Sequence, residues 1–150
     1  MDTNITKTWT IEIDKKEVFA RCTNESLYQA YVRNQDNPKG DNVVIQEDDY
    51  GQFHVYIGNA IANLHVLLAR RMEDLPVTSG DSVIFILGMH DNHDDNMLPI
   101  LISHCYQYLV KQVMEQWSHA DHGSAIERLE INHCLHYRKQ PVRRRIGPLF

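Results

Sequence analysis

Apolar residues recur at three- and four-residue steps from Asn96 to Ser118: Leu98, Leu101, Ile102, Cys105, Leu109, Val113 and Trp117. Ser103, Gln107, Lys111, Glu115 and Ser118 form the opposite, polar stripe. That period predicts one amphipathic helix, roughly 33 Å long at the standard rise. Asp95 or Asn96 can cap it, and Pro99 falls in the first turn, where a missing N–H is harmless. A second helical face runs through Phe53, Ile57, Ala60, Ile61, Leu64, Leu67 and Leu68. It predicts a helix from Asp48 to Met72, with Glu47, Asp48 and Asp49 at its positive end and Arg70 and Arg71 at its negative end. Gly58, inside this helix, suggests a close approach to another one.

The remaining pattern is shorter. Trp9, Ile11 and Ile13 alternate with Thr8, Thr10 and Glu12, the signature of a half-buried strand. Asp14, with Glu17 three residues on, has the spacing of a capping box and opens a helix from Lys15 to Arg33. Val18, Phe19, Cys22, Leu27, Tyr28, Tyr31 and Val32 supply its apolar side, and Thr23 to Ser26 interrupts it. Asn34 to Gln46 clusters Asn, Asp, Pro and Gly and reads as a loop open to partner contact. Asp81 to Met89 is short and β-branched, a buried strand whose obvious mate is the first one. A lone strand pair is marginal, so helices must cover it or another chain must extend it. Ala125 to Arg138 makes a fourth helix through Ile126, Leu129, Ile131, Cys134, Leu135 and Tyr137, stopped by Pro141. The expected fold is α+β and helix-dominated. About four helices pack with a short antiparallel strand pair in one domain, 1–140, followed by an extended basic tail, 141–150.

Composition narrows the function. Apolar residues make up 43% of the chain, enough for a core, and no apolar run is long enough to span a membrane. The N-terminus has no basic start and no apolar stretch of the secretory kind. Cys22, Cys105 and Cys134 are odd in number and widely spaced, which predicts buried thiols rather than a disulfide framework. The formal charge of −5 argues against a surface built to grip nucleic acid. Arg143, Arg144 and Arg145 nonetheless crowd the C-terminus, among Val142, Ile146, Leu149 and Phe150. A basic and apolar segment after a proline is suited to docking on another protein. A solvated tail and nucleic-acid contact are the alternatives.

Candidate chemistry is sparse. His90, Asp91, His93, Asp94 and Asp95 are competent metal ligands and, with His104, could hold zinc or a metal pair in a small hydrolase. The plainer reading is a polar turn that caps a helix. His133 and Cys134 are adjacent on a helix and diverge by about 100°, so they are poor partners in nucleophilic catalysis. His119, Asp121 and His122 belong to a short connection. Glu47, Asp48 and Asp49 lack the ligand order of an EF-hand. The phosphate-loop, dinucleotide and nucleophile-elbow motifs are missing. These readings assign no catalytic residue, no metal and no cofactor.

The element order, the helix ILISHCYQYLVKQVMEQW and the closing RRRIGPLF together resemble the small head–tail connector, or neck, proteins of tailed phages and prophages, especially those of gut Bacteroidetes. The HDNHDD turn and the 34–46 loop depart from that pattern. The resemblance implies a structural virion protein and no enzyme. It implies a homo-oligomeric ring, of about twelve copies, between the portal and the tail or an adjacent neck protein. Such a ring is made in the host cytoplasm and resides in the virion, without membrane contact. Viral DNA would pass through it only as cargo, and an acidic body would let the DNA slide. Arg143, Arg144, Arg145, Ile146, Leu149 and Phe150 are then the partner-binding residues. A metal-dependent enzyme using His90–Asp95 and a cytosolic adaptor are the alternatives.

Overall fold

The computed structural model describes residues 5–36 and 49–139. Strand β1, Lys7–Asp14, opens the fold and turns directly into helix α1, Lys15–Asp36. Asp14 caps that corner, its carboxylate accepting from the Lys16 N–H at 2.9 Å. Glu17 does not reach back as a capping box would; it pairs with Arg21 one turn on. The corner is clamped by Tyr106, whose hydroxyl accepts from the Asp14 N–H at 2.9 Å while the Arg21 guanidinium lies over its ring. Helix α2, Tyr50–Leu68, follows and tightens into one 3₁₀ turn, Ala69–Arg71. Then come β2, Val77–Ser79, β3, Ser82–Met89, α3, Met97–Ser118, and α4, Ser124–His136.

The fold is the expected helix-dominated α+β type; the described residues form four α-helices, but their sheet has three strands. β3 lies in the middle, antiparallel to both neighbours, with Trp9 opposite Leu87 and Ile13 opposite Val83. The extra strand comes from within the chain. Gly80, at φ +59°, turns a tight hairpin that sets Val77 beside Ile84. One sheet face packs inward through Trp9, Ile11, Ile13, Phe85 and Leu87. β3 is therefore buried on one face rather than two: Ile86 on the other face is half exposed.

Helix α3 is the centre of the molecule and packs on α1, α2, α4 and β1. It buries Tyr106, Tyr108 and Met114 beyond its predicted stripe, so its apolar surface is broader than the period implied. Helix α2 matches expectation, burying Phe53, Ile57, Ala60, Leu64 and Leu68. Gly58 approaches nothing: a Cβ there would meet no atom within 4 Å.

Two predicted faces are corrected. Helix α1 runs unbroken through Thr23–Ser26 and turns Cys22, Ser26 and Ala30 inward. Leu27, Tyr28, Tyr31 and Val32 face outward instead. Small residues let α1 approach α3 closely, and large ones would not fit between them. In α4, Ile131, Cys134 and Leu135 are buried as expected, but Ile126, Leu129 and Tyr137 are exposed and Glu127 takes an inward position. The start of the predicted 34–46 loop is helical to Asp36; the rest of it lies outside the described residues.

Candidate functional site

Polar groups inside the fold gather at three joints. The first lies between α3 and α4. Glu127 is buried, and its carboxylate accepts from Lys111 Nζ at 2.7 Å and faces His104 Nδ1 at 2.6 Å. With its amide turned nitrogen-first, Gln107 donates to the same carboxylate at 2.9 Å. Burial alone would push the Glu127 carboxyl up. The donors Lys111 and His104 outweigh it and hold the carboxyl below the ordinary glutamate range.

The second joint is the connection from α3 to α4. His119 adopts the left-handed conformation that ends α3, at φ 56°. Glu115 then caps α4 from outside: it accepts from the Ser124 Oγ at 2.5 Å, the His122 N–H at 2.9 Å and the Ser124 N–H at 3.2 Å. Burial opposes its charge, but these donors prevail and lower its pKa. Ser118 and His122 sit 2.7 Å apart, like a nucleophile and its base. The Ser118 hydroxyl, however, donates to the Met114 carbonyl at 2.8 Å. Its oxygen must therefore accept from His122 Nε2–H, which leaves Nδ1 facing the Gln29 amide at 3.3 Å. In that arrangement His122 cannot take the serine proton, so the pair positions the turn.

The third joint is the HDNHDD turn. Asp95 accepts from Trp9 Nε1 at 2.9 Å and pairs with Lys7 at 3.0 Å; those donors, Trp9 first, lower its pKa. Asp91 bonds to the Thr6 hydroxyl, and Asp94 caps the Asn96 N–H at 3.0 Å. His93 is buried against the edge of Trp9 and accepts the His90 N–H on Nδ1 at 3.0 Å. Burial pushes its imidazole below the ordinary histidine value, and the charges of Arg71 and Arg138 add to that. His104, the sixth candidate ligand, belongs to the Glu127 joint. Among the described residues no three His, Cys, Asp or Glu side chains come close enough to share a metal ion. The polar turn of the sequence reading is thus partly a core element, because His93 ties the end of β3 to the start of α3.

The three cysteines are free and buried. Burial pushes the Cys22 thiol up to about 12 and raises Cys105 and Cys134 as well, which suits packing rather than nucleophilic attack.

The concavities that open to solvent among the described residues include three of note. A cleft of about 560 Å³ between α2 and α4 has Arg70, Arg71, Asn132 and His136 on an apolar floor, and Arg71 donates to the Leu135 carbonyl at 3.2 Å. A second, of about 310 Å³, lies beside α3 and is reached by Arg21, Glu25, Lys111 and His122. A third, about 170 Å³, is a groove on the outer sheet face. Ile84, Ile86, Val77 and Leu75 line it, Ile5 closes one end over Gly88, and Glu73 and Asp74 stand at its rim. This groove and the outward ridge Leu27, Tyr28 and Tyr31 of α1 are apolar surfaces on different elements. Sequence reasoning missed both. Val77 and the Gly80 turn are the signal that could have revealed the groove.

The predicted partner-binding residues Arg143, Arg144, Arg145, Ile146, Leu149 and Phe150 lie outside the described residues. The last described residue, Lys139, is tied to the HDNHDD turn, its N–H donating to the Asn92 carbonyl at 2.7 Å. No described helix is long and apolar enough to cross a membrane. Compared with protein-family models, with curated proteins and with solved structures, the chain matches none.

Proposed function

We propose that this chain is a structural subunit that assembles with copies of itself, as a ring of the head–tail connector kind its sequence resembles. The observation that carries the reading is the pair of uncovered apolar surfaces on different elements. The outer sheet face leaves Leu75 77% and Val77 54% exposed, and the α1 ridge leaves Tyr28 65% exposed. A ring joins unlike surfaces head to tail, so its subunit needs two distinct patches rather than one self-complementary patch. Exposed apolar surface rimmed by polar groups marks contact sites. The acidic body supports the same reading: a channel of like charge does not hold a passing polyanion. The carboxylates at the three joints, Glu127, Glu115 and Asp95, already have structural partners, which fits a scaffold.

The test is assembly. The purified full chain should form rings by light scattering and negative-stain microscopy, alone at high concentration or on addition of a portal protein. A chain that stays monomeric in both settings overturns the proposal.

A further inference from the structure

Resting on that reading, we infer that the groove on the outer sheet face is the seat of the C-terminal segment, Val142–Phe150, of a neighbouring copy. The chemistry of groove and segment is reciprocal. The groove offers an apolar floor of Ile84, Ile86, Val77 and Leu75, with Glu73 and Asp74 at the rim. The segment offers Ile146, Leu149 and Phe150 as apolar anchors behind Arg143, Arg144 and Arg145. Glu12 adds a third carboxylate on the same face, opposite Ile84 in register.

Charge favours this occupant over the body of another copy. Lys and Arg number 15 in the chain against 20 Asp and Glu, and three of those 15 are the arginines at 143–145. The rest of the chain is therefore more acidic than the whole, and body repels body while the segment is attracted. Eleven residues follow Lys139, and in extended form they span about 36 Å, against about 26 Å for an eight-residue strand. The departure point is fixed, because Lys139 is anchored on Asn92 and its Nζ lies 3.7 Å from Asp94.

The experiment uses the full chain. A photo-reactive benzoylphenylalanine replaces Val77, which is more than half exposed, so the fold tolerates it. Unlabelled and ¹⁵N-labelled chains are mixed, irradiated and mapped by mass spectrometry. The expected product joins position 77 of one isotope to the peptide Ile146–Phe150 of the other. Reversing the arginines (R143E, R144E, R145E) should cut its yield about tenfold, and adding E73R and D74R should restore it. Cross-links confined to one isotope overturn the neighbouring copy as the source. Absence of any product with 142–150 overturns the groove as the seat, whatever the particle size. Rings without that product leave the assembly proposal standing while this inference fails.

Discussion

Replacing Glu127 with Gln removes the negative charge that α4 sets against His104 and Lys111 of α3. The Glu127 side chain is 6% exposed, whereas His104 and Lys111 are 23% and 33% exposed. A fully buried ion pair broken on one side costs about 3–5 kcal/mol. Here both donors can turn toward water once the carboxylate is gone, so the cost falls to that of two weakened hydrogen bonds to a charged group, about 2 kcal/mol. Glu127→Ala adds a small void and should cost about 3 kcal/mol. For a chain of this length each kcal/mol lowers the melting temperature by roughly 2–4 °C. Urea unfolding followed by the fluorescence of Trp9 and Trp117 reads the loss. Lys111→Met combined with Glu127→Gln should cost less than the two separately, by about 1 kcal/mol.

The pH dependence tests the cause. The Glu127 pKa is lowered in the folded chain, so the unfolded chain binds more protons just below the ordinary glutamate value of about 4.3. Its contribution is complete above that value and is lost as pH falls through the folded one. The gap between the parent chain and Glu127→Gln should be widest near about pH 7 and shrink toward about pH 3. A gap under about 0.5 kcal/mol at neutral pH, or one that does not change on acidification, refutes the argument.

Three further outcomes follow from the same packing. Because His93 is buried with a lowered pKa, the unfolded chain takes up its proton first, and stability should fall as pH drops below about 6.5; His93→Leu should flatten that slope in urea titrations. Ala30 is buried on the inward face of α1, so Ala30→Leu should destabilise by about 1–3 kcal/mol through overpacking, and a thermal melt unchanged from the parent would contradict the close approach of α1 to α3. Tyr28→Ser with Tyr31→Ser should leave the melting temperature within about 2 °C of the parent yet reduce particle formation by light scattering, since both rings are exposed.

Much of the fold was legible where apolar side chains repeat with one period. Trp9, Ile11 and Ile13 alternate because one sheet face is buried, and Phe53 to Leu68 step along one face of α2. The inward face of α1 was legible at Val18 and Cys22 and escaped beyond them, because there it is made of Ser26 and Ala30. Pattern reading weighs size and hydrophobicity, whereas a narrow gap between helices selects smallness, so Leu27, Tyr28 and Tyr31 looked like core. Glu127 escaped for another reason. It sits on the stripe with Ile131, Cys134 and Leu135, but a carboxylate enters a core only when hydrogen-bond donors across the joint meet it. Those donors, His104 and Lys111, come from a different helix, and their proximity is a property of the packing. β2 is too short to show alternation; its only trace was the Ser79–Gly80–Asp81 turn.

Acidity and assembly impose demands that meet in the tail. A subunit whose body repels a polyanion also repels its own copies, so assembly cannot rest on body charge. Segregating Arg143, Arg144 and Arg145 into a terminal segment relieves that conflict, because the attraction reaches a neighbour without making the body basic. At physiological ionic strength charges more than about 8 Å apart are largely screened, and exposed ion pairs contribute little. In the proposed docking the arginines therefore steer the segment toward Glu73 and Asp74, and the hold comes from Ile146, Leu149 and Phe150 against Ile84, Ile86 and Val77. Raising salt should slow assembly more than it loosens finished particles. Replacing Phe150 and Leu149 with Ser should do the reverse, loosening finished particles while leaving the salt dependence of the assembly rate unchanged.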